Sequence, residues 1–337
     1  MDKEEEKGKK ENNLLFEKKF AFDVWDDATT KKCFDFCEGY KEFLSACKTE
    51  RKTVETVQNI AAAAGFVPLE HIDSGNDDKI AARKVYSINR GKSIVLAKRG
   101  KKPIKNGARI ILAHIDSPRL DLKVKPICEN EHLAFLKTHY YGGIKKYQWT
   151  ALPLSVHGKI IKENGEAVDI SIGEDPGDPI FMITDLLPHL SKNQLEKKLE
   201  DAINAESLNV VSAGMGTKNK DDKDPVKKNL LKLLNQKYGI REEDFVSADL
   251  ELVPAGAARD LGFDRSLIAA YGHDEAAQRN LAGHGQVVPL WLACEQRHHG
   301  RQQCDARAGI VFGDRGGGRR PRTAWARDAS GQSQASP

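Results

Sequence analysis

The sequence lacks any apolar run approaching the roughly eighteen residues of a membrane-spanning helix, so no bilayer span and no membrane partner is expected. It also lacks an apolar segment behind its first methionine. MDKEEEKGKKENN is charged from the second residue, which argues against a secretory leader and predicts a cytoplasmic protein frayed over residues 1–12. Cysteine is scarce, six in 337 residues and without the spacing of a disulfide framework, so the thiols are expected to be reduced. Charge of one sign is not in excess: 53 basic groups face 49 acidic ones, and a net charge of +4 gives no reason to expect nucleic acid as a partner. The last absence is local. All 35 lysines lie at or before Lys237, and the final 63 residues carry none, yet hold nine arginines, as many as the preceding 274 residues together.

What is present is enough for a folded protein. A chain of 337 residues with 39% hydrophobic content accommodates two domains, or one domain with a large insertion. Cys33, Cys37, Tyr40, Leu44 and Cys47 recur at spacings of three and four, the apolar face of an amphipathic helix over residues 27–48. That pattern makes the three cysteines core residues in preference to metal ligands. A second helix is predicted from Thr53 to Ala64 and stopped by Gly65. KVYSINR and SIVLAKR, separated by Gly91-Lys92, read as a β-hairpin.

Arg109 to Ala113 is a continuous apolar run of the kind found in a strand covered on both faces. It delivers His114 to the strand's carboxyl end, outside which sites gather in open α/β sheets. Imidazole is the commonest metal ligand, and its second nitrogen normally donates to a carboxylate that fixes the tautomer. His114 and Asp116 supply both groups. Taken alone, a histidine after an apolar strand is more often a hydrogen-bonded structural residue than a ligand.

Beyond Asp121 the texture changes. LPLSVHGKIIKENGEAVDISIG alternates and turns at Asn164-Gly165, as antiparallel structure does. TKNKDDKDPVKK reads as an exposed loop, and NLLKLLNQKYGI as a short helix ending near Gly239. Residues 250–270 return to buried β structure and lead to Tyr271-Gly272-His273-Asp274. Past Asp274 the chain is arginine- and glycine-rich and has no usable apolar period. Arg315-Gly316-Gly317-Gly318-Arg319-Arg320 leaves an RNA-binding tail as a minor alternative.

AHIDSPRLDLKVKP, LKTHYYGGIKKYQW, GEDPGDPIFMITDLLPHLSK and LELVPAGAARDLGFDRSLIAAYGHD, in that order, resemble the aspartyl aminopeptidase family of zinc metallopeptidases, bacterial type. The resemblance runs from about residue 13 to Asp274. It implies an α/β fold, a zinc-peptidase-like sandwich interrupted by a β-rich dimerisation domain. The catalytic domain would occupy residues 13–120 and 248–274, the inserted domain 121–247, and an anomalous tail 275–337. It implies two zinc ions per site, peptide substrates shortened from an N-terminal, often acidic, residue, and self-association from dimers to dodecamers.

By motif, His114 corresponds to a zinc ligand, Asp116 to the carboxylate beside it, and Asp274 to the aspartate bridging the two metals. His189 in LLPHL resembles a histidine offered to a neighbouring subunit's active site, or serves as a helix-cap or interface residue. Such a pair of metals would polarise the scissile carbonyl and acidify a shared water, with a glutamate taking the proton.

The family pattern then continues with an adjacent Glu-Glu pair, a later aspartate and a C-terminal histidine. EAAQRNLAGHGQVVPLWLACEQRHHGRQQCDARAGIVF holds Glu275, Glu295, His298 and His299, but nothing around them matches. With two ligands of five, neither zinc reaches the roughly three protein ligands of a catalytic site. The expectation is an incomplete catalytic domain, with Glu275 the first residue of a shifted reading frame. The alternative in another class is a non-catalytic assembly subunit that keeps only the dimerisation function.

Overall fold

The computed structural model describes residues 19–71, 84–101, 103–219, 221–273 and 287–289. The predicted frayed segment 1–12, Asp274 and, apart from 287–289, the tail 275–337 lie outside the described residues. So do Glu275, Glu295, His298, His299 and the arginine-glycine stretch.

Helix α1 spans Asp27–Ala46 and α2 spans Glu50–Ala63. The Asp26 carboxylate caps α1 by accepting from the Thr29 amide, and Asp27 in the first turn complements the helix dipole. The predicted stripe is the buried one: Cys33, Cys37 and Leu44 pack with Ile268, and Tyr40 lies against them. Helix α2 begins three residues before the expected Thr53, because the Thr49 hydroxyl caps it. The chain leaves it through Gly65 at φ 83°, a conformation glycine adopts without strain.

Strand β1 (Val67–Pro68) pairs in parallel with β2 (Lys84–Asn89), which forms the predicted hairpin with β3 (Ser93–Lys98). This small sheet and α2 share a core of Val54, Ala61, Tyr86, Ile94 and Leu96. The expected strand at Arg109–Ala113 is not one. Residues 107–118 run without strand pairing among the described residues, and Ile110 and Leu112 are 58% and 77% exposed. An apolar run becomes a two-face-covered strand only where neighbours flank it, and none of the described strands does.

The main sheet has six strands in the order β7-β6-β9-β4-β5-β8, all antiparallel. They are β4 (Arg119–Asn130), β5 (Leu133–Tyr141), β6 (Leu154–Ile161), β7 (Ala167–Ile172), β8 (Val210–Ala213) and β9 (Asp249–Pro254). β6 and β7 are the predicted hairpin around Asn164-Gly165. The buried run of β9 lies between β6 and β4, so the sheet extends from Arg119 to Pro254, past both ends of the 121–247 block.

The core of the sheet includes Leu120, Leu154, Ile160, Leu208, Val210 and Leu252. Helix α3 (Pro225–Tyr238) lays Leu230, Leu231 and Leu234 on it. α3 begins inside the lysine-rich segment expected as loop, because Pro225 sits at its first turn and the Glu129 carboxylate accepts from the Val226 and Lys227 amides, both at 2.9 Å. Gly239, at φ 66°, ends it as predicted.

Strands β10 (Arg259–Leu261), β11 (Leu267–Ala269) and β12 (Val287–Pro289) form a third, antiparallel sheet. Ile268 of β11 carries it onto α1. Among the described residues no helix is long and apolar enough to cross a membrane.

Gly158 is the tightest crossing in the main sheet. Its φ is 138°, and a Cβ there would collide with the Asp249 carbonyl group on β9. The obstacle is backbone of a paired strand and cannot swing aside. Gly158→Ala is therefore expected to cost about 3 kcal/mol, at the upper end for an overpacked core, read from urea unfolding; a loss below about 0.5 kcal/mol would contradict this close approach.

Candidate active site

The corner between α1 and α2, Lys48-Thr49-Glu50-Arg51, is tied to the main sheet residue by residue. The Lys48 ammonium donates to both oxygens of Glu174 at 2.9 and 2.7 Å, and to the carbonyls of Pro254 and Gly256 at 2.8 and 2.7 Å. Glu50 accepts from Arg119 at 2.8 Å, and Arg51 donates to Asp249 at 2.6 Å. Beside this corner lies a cavity of about 280 Å³.

One wall of the cavity is the 114–118 segment with Tyr141, Gly142 and Gly143 at the end of β5. The other is Phe43, Leu44 and Cys47 from the end of α1, with Gly272 and His273. Tyr271 donates its hydroxyl to the Pro118 carbonyl at 2.9 Å, which fastens the 271–273 segment to the 114–118 segment. Gly272, at φ 85°, then lets the chain turn, and His273 lies buried with Nδ1 3.2 Å from the Tyr40 hydroxyl. Burial pushes the Tyr271 phenol well above its ordinary range, so it stays a hydrogen-bond donor.

His114 and Asp116 meet in this cavity. The imidazole Nδ1 is 3.3 Å from Asp116 Oδ1 and 3.1 Å from the Asp116 carbonyl oxygen. Two acceptors on one side favour a proton on Nδ1 and direct Nε2 away from the carboxylate, the tautomer a metal-binding imidazole uses. The other carboxylate oxygen accepts from the Tyr141 hydroxyl at 2.8 Å. Partial burial pushes the Asp116 carboxyl up, but the Tyr141 hydrogen bond, its own backbone and His114 outweigh it and hold the group below the usual carboxylate range. A second, shallower depression of about 340 Å³ shares His114, Asp116 and Tyr141 and continues to Glu50 and Lys92.

His114 and Asp116 are thus brought together, and the YGHD segment reaches the same cavity through His273. Asp274 lies outside the described residues. His189 is elsewhere, exposed in the single turn Pro188–Leu190 and absent from the cavity lining. Tyr141 and His273 line the cavity and Arg119 packs against the Tyr141 ring, although no role was expected of them. Their motifs were visible as YYGG, SPR and YGHD, but only the fold shows that they converge.

The donor set tests the fit of zinc. One imidazole with an orienting carboxylate suits one corner of a tetrahedral site. Among the described residues no group of three or more His, Cys, Asp and Glu is placed to hold a metal ion. A catalytic zinc needs about three protein ligands, so these residues do not make up a complete centre.

The model of the family described as aminopeptidase I zinc metalloprotease (M18) matches residues 43–285. The match ends at residue 285, so family character extends beyond Asp274, where the motif resemblance stops. A probable M18 family aminopeptidase 1 of Clostridium acetobutylicum is 48% identical over 264 residues, 78% of this chain and 57% of that protein. The crystal structure of an M18 family aminopeptidase from Thermotoga maritima is 38% identical with a TM-score of 0.72, covering 89% of this chain and 61% of that one. Aminopeptidase I from Clostridium acetobutylicum superposes with a TM-score of 0.72 at 40% identity, covering 89% of this chain and 63% of that one. The chain spans little more than half the length of the curated relatives it matches, 57% and 54% for two of them.

Proposed function

We infer function from one premise: the chain belongs to the aminopeptidase I zinc metalloprotease family, M18. Its lineage is that of a zinc-dependent aminopeptidase that removes N-terminal, preferentially acidic, residues from peptides in the cytoplasm. In this reading His114 is a zinc ligand, Asp116 the carboxylate that orients it, and Asp274 the bridge of a two-zinc centre. Residues 121–247, which supply most of the six-stranded sheet, are the inserted dimerisation unit, held between two catalytic segments. These 337 residues carry only part of the centre and do not turn over substrate on their own.

The observation that carries the reading is the His114–Asp116 geometry. Its Nδ1 is turned to the carboxylate at 3.3 Å, in a cavity that also receives His273. The test is metal content and activity of the full chain. After dialysis against zinc, mass spectrometry of the metal should show well under two ions per chain, and aspartyl- and glutamyl-p-nitroanilide should be hydrolysed at the blank rate. Two retained zinc ions with turnover would refute the incompleteness. His114→Ala leaving whatever zinc is retained unchanged would refute the ligand role.

A second reading, a non-catalytic assembly subunit, is favoured by a separate observation. Leu186, Leu187, Leu190, Leu195 and Leu199 are all exposed, five apolar side chains within one band of the sequence. His189 lies within that band, as a residue offered to a neighbouring subunit would. Size-exclusion chromatography combined with the activity assay separates the two, since stable oligomers without turnover support assembly.

A further inference from the structure

The 107–118 segment carries the His114–Asp116 pair but has no strand pairing among the described residues, so no backbone ladder sets the geometry of the pair. Side-chain contacts must do so. His114 is 53% exposed, and an imidazole in that setting does not hold one rotamer by packing alone.

We propose that Tyr141 and Arg119 are positioning residues for the His114–Asp116 pair, Tyr141 gripping the far oxygen of Asp116 and Arg119 supporting the Tyr141 ring from below. The inference deepens the metallopeptidase reading and rests on it.

The chain of contacts is short and each link has a direction. The Arg119 guanidinium is buried and held by three acidic side chains: Glu50 at 2.8 Å, Asp121 at 2.8 Å and Glu251 at 3.5 Å. Its central carbon lies 4.2 Å from the centroid of the Tyr141 ring, the stacking geometry of a cation on an aromatic face. A guanidinium is planar and supports a ring across its whole face, which an ammonium does not. The Tyr141 hydroxyl then donates to Asp116 Oδ2 at 2.8 Å, leaving Oδ1 to face His114. Tyr141 is exposed, yet its ring and its hydroxyl are both engaged. Its neighbour Tyr140, also exposed, stacks instead on His139 and has no part in this chain.

The test uses the full chain with ¹³C-labelled histidine. The His114 Cε1–H signal is assigned among the ten histidines by its disappearance in His114→Gln. Tyr141→Phe keeps the ring and removes only the hydroxyl. Arg119→Lys keeps the charge and removes the flat support, and Tyr140→Phe is the control. In Tyr141→Phe and Arg119→Lys the order parameter of the His114 ring should fall by about a third or more. Tyr140→Phe should leave it unchanged. The urea midpoint of Tyr141→Phe should match that of the parent, which separates positioning from a general structural role.

A His114 ring as ordered in Tyr141→Phe as in the parent overturns the proposal. So does an equal loss of order in Tyr140→Phe. Zinc chloride added to the parent tests the underlying reading separately. A His114 signal indifferent to zinc removes the ligand assignment, while ring order still decides whether Tyr141 and Arg119 position the pair.

Discussion

Lys48→Met is expected to destabilise the protein by about 3–5 kcal/mol, because it leaves a carboxylate behind in a site built around a charge pair. Lys48 is 5% exposed and directs its ammonium at Glu174 and at the Pro254 and Gly256 carbonyls. Burial lowers its pKa, and Glu174 opposes that shift. Burial also raises the Glu174 carboxyl, but hydrogen bonds from His157, Lys48 and Ser155 outweigh it and bring the group down to about 2. Methionine matches the length of the lysine stem and supplies none of the four contacts. The double variant Lys48→Met/Glu174→Gln should recover a large part of the loss, since replacing both partners removes the uncompensated charge.

The depressed Glu174 pKa fixes the pH dependence of the same cluster. A carboxyl lowered on folding contributes stability that is present above its ordinary pKa of 4.5 and is lost as pH falls through about 2. At about 1.4 kcal/mol per unit, the upper limit is about 3 kcal/mol. Urea melts at pH 7 and pH 3 should therefore differ less in Lys48→Met than in the parent, since lysine is one source of the depression. Equal pH sensitivity in the two proteins would contradict the pairing.

Much of this architecture was legible because it is local. The spacing of Cys33, Cys37, Tyr40 and Leu44 is a property of one helix, and the packed face is the one it marks. Asn164-Gly165 announces its own turn. The turn between β4 and β5 was not legible: Glu131 and His132 both take positive φ, 48° and 58°, without the Asn-Gly signature of such turns.

The burial of Glu50, the first residue of α2, was missed for a related reason. Glu50 is polar and outside the apolar period, yet it is buried because Arg119 meets it from another element. The apolar run 109–113 failed as a strand because pairing is a property of neighbours, which the run does not contain. The site divides in the same way. His114 and Asp116 stand two residues apart and read as a motif. Tyr141 and Arg119 join them only through contacts made by the fold, and His273 reaches the cavity from the far end of the described chain.

Glu251→Gln should make the protein more stable at pH 9, by about 2 kcal/mol, and change little at pH 5. Glu251 is buried on β9, opposite Asp121 of β4 in the sheet register, and the charges acting on it are Glu50 from α2, Arg119 from β4, Lys92 from the β2–β3 turn and Asp249 on its own strand. Burial and the neighbouring Glu50 charge push its carboxyl up to about 8 against the pull of Arg119 and Lys92. Arg119 serves both acids but serves Glu50 better, at 2.8 Å against 3.5 Å. The second oxygen of each carboxyl is buried and has no hydrogen-bond partner among the described residues. Glu251 therefore keeps its proton at neutral pH.

A carboxyl raised on folding contributes most below its ordinary pKa of 4.5, and that stability drains away as pH climbs through about 8. The full shift would be worth about 5 kcal/mol at about 1.4 kcal/mol per unit. Relaxation and water penetration around the ionised carboxylate reduce the expected effect to about 2 kcal/mol. Glutamine keeps the shape, offers its carbonyl to Arg119 and its amide hydrogens to Glu50, and does not ionise. The difference in unfolding free energy between variant and parent should rise from pH 5 to pH 9 and level off beyond. A stability difference that stays flat from pH 5 to pH 9 would show that burial does not hold the Glu251 carboxyl protonated.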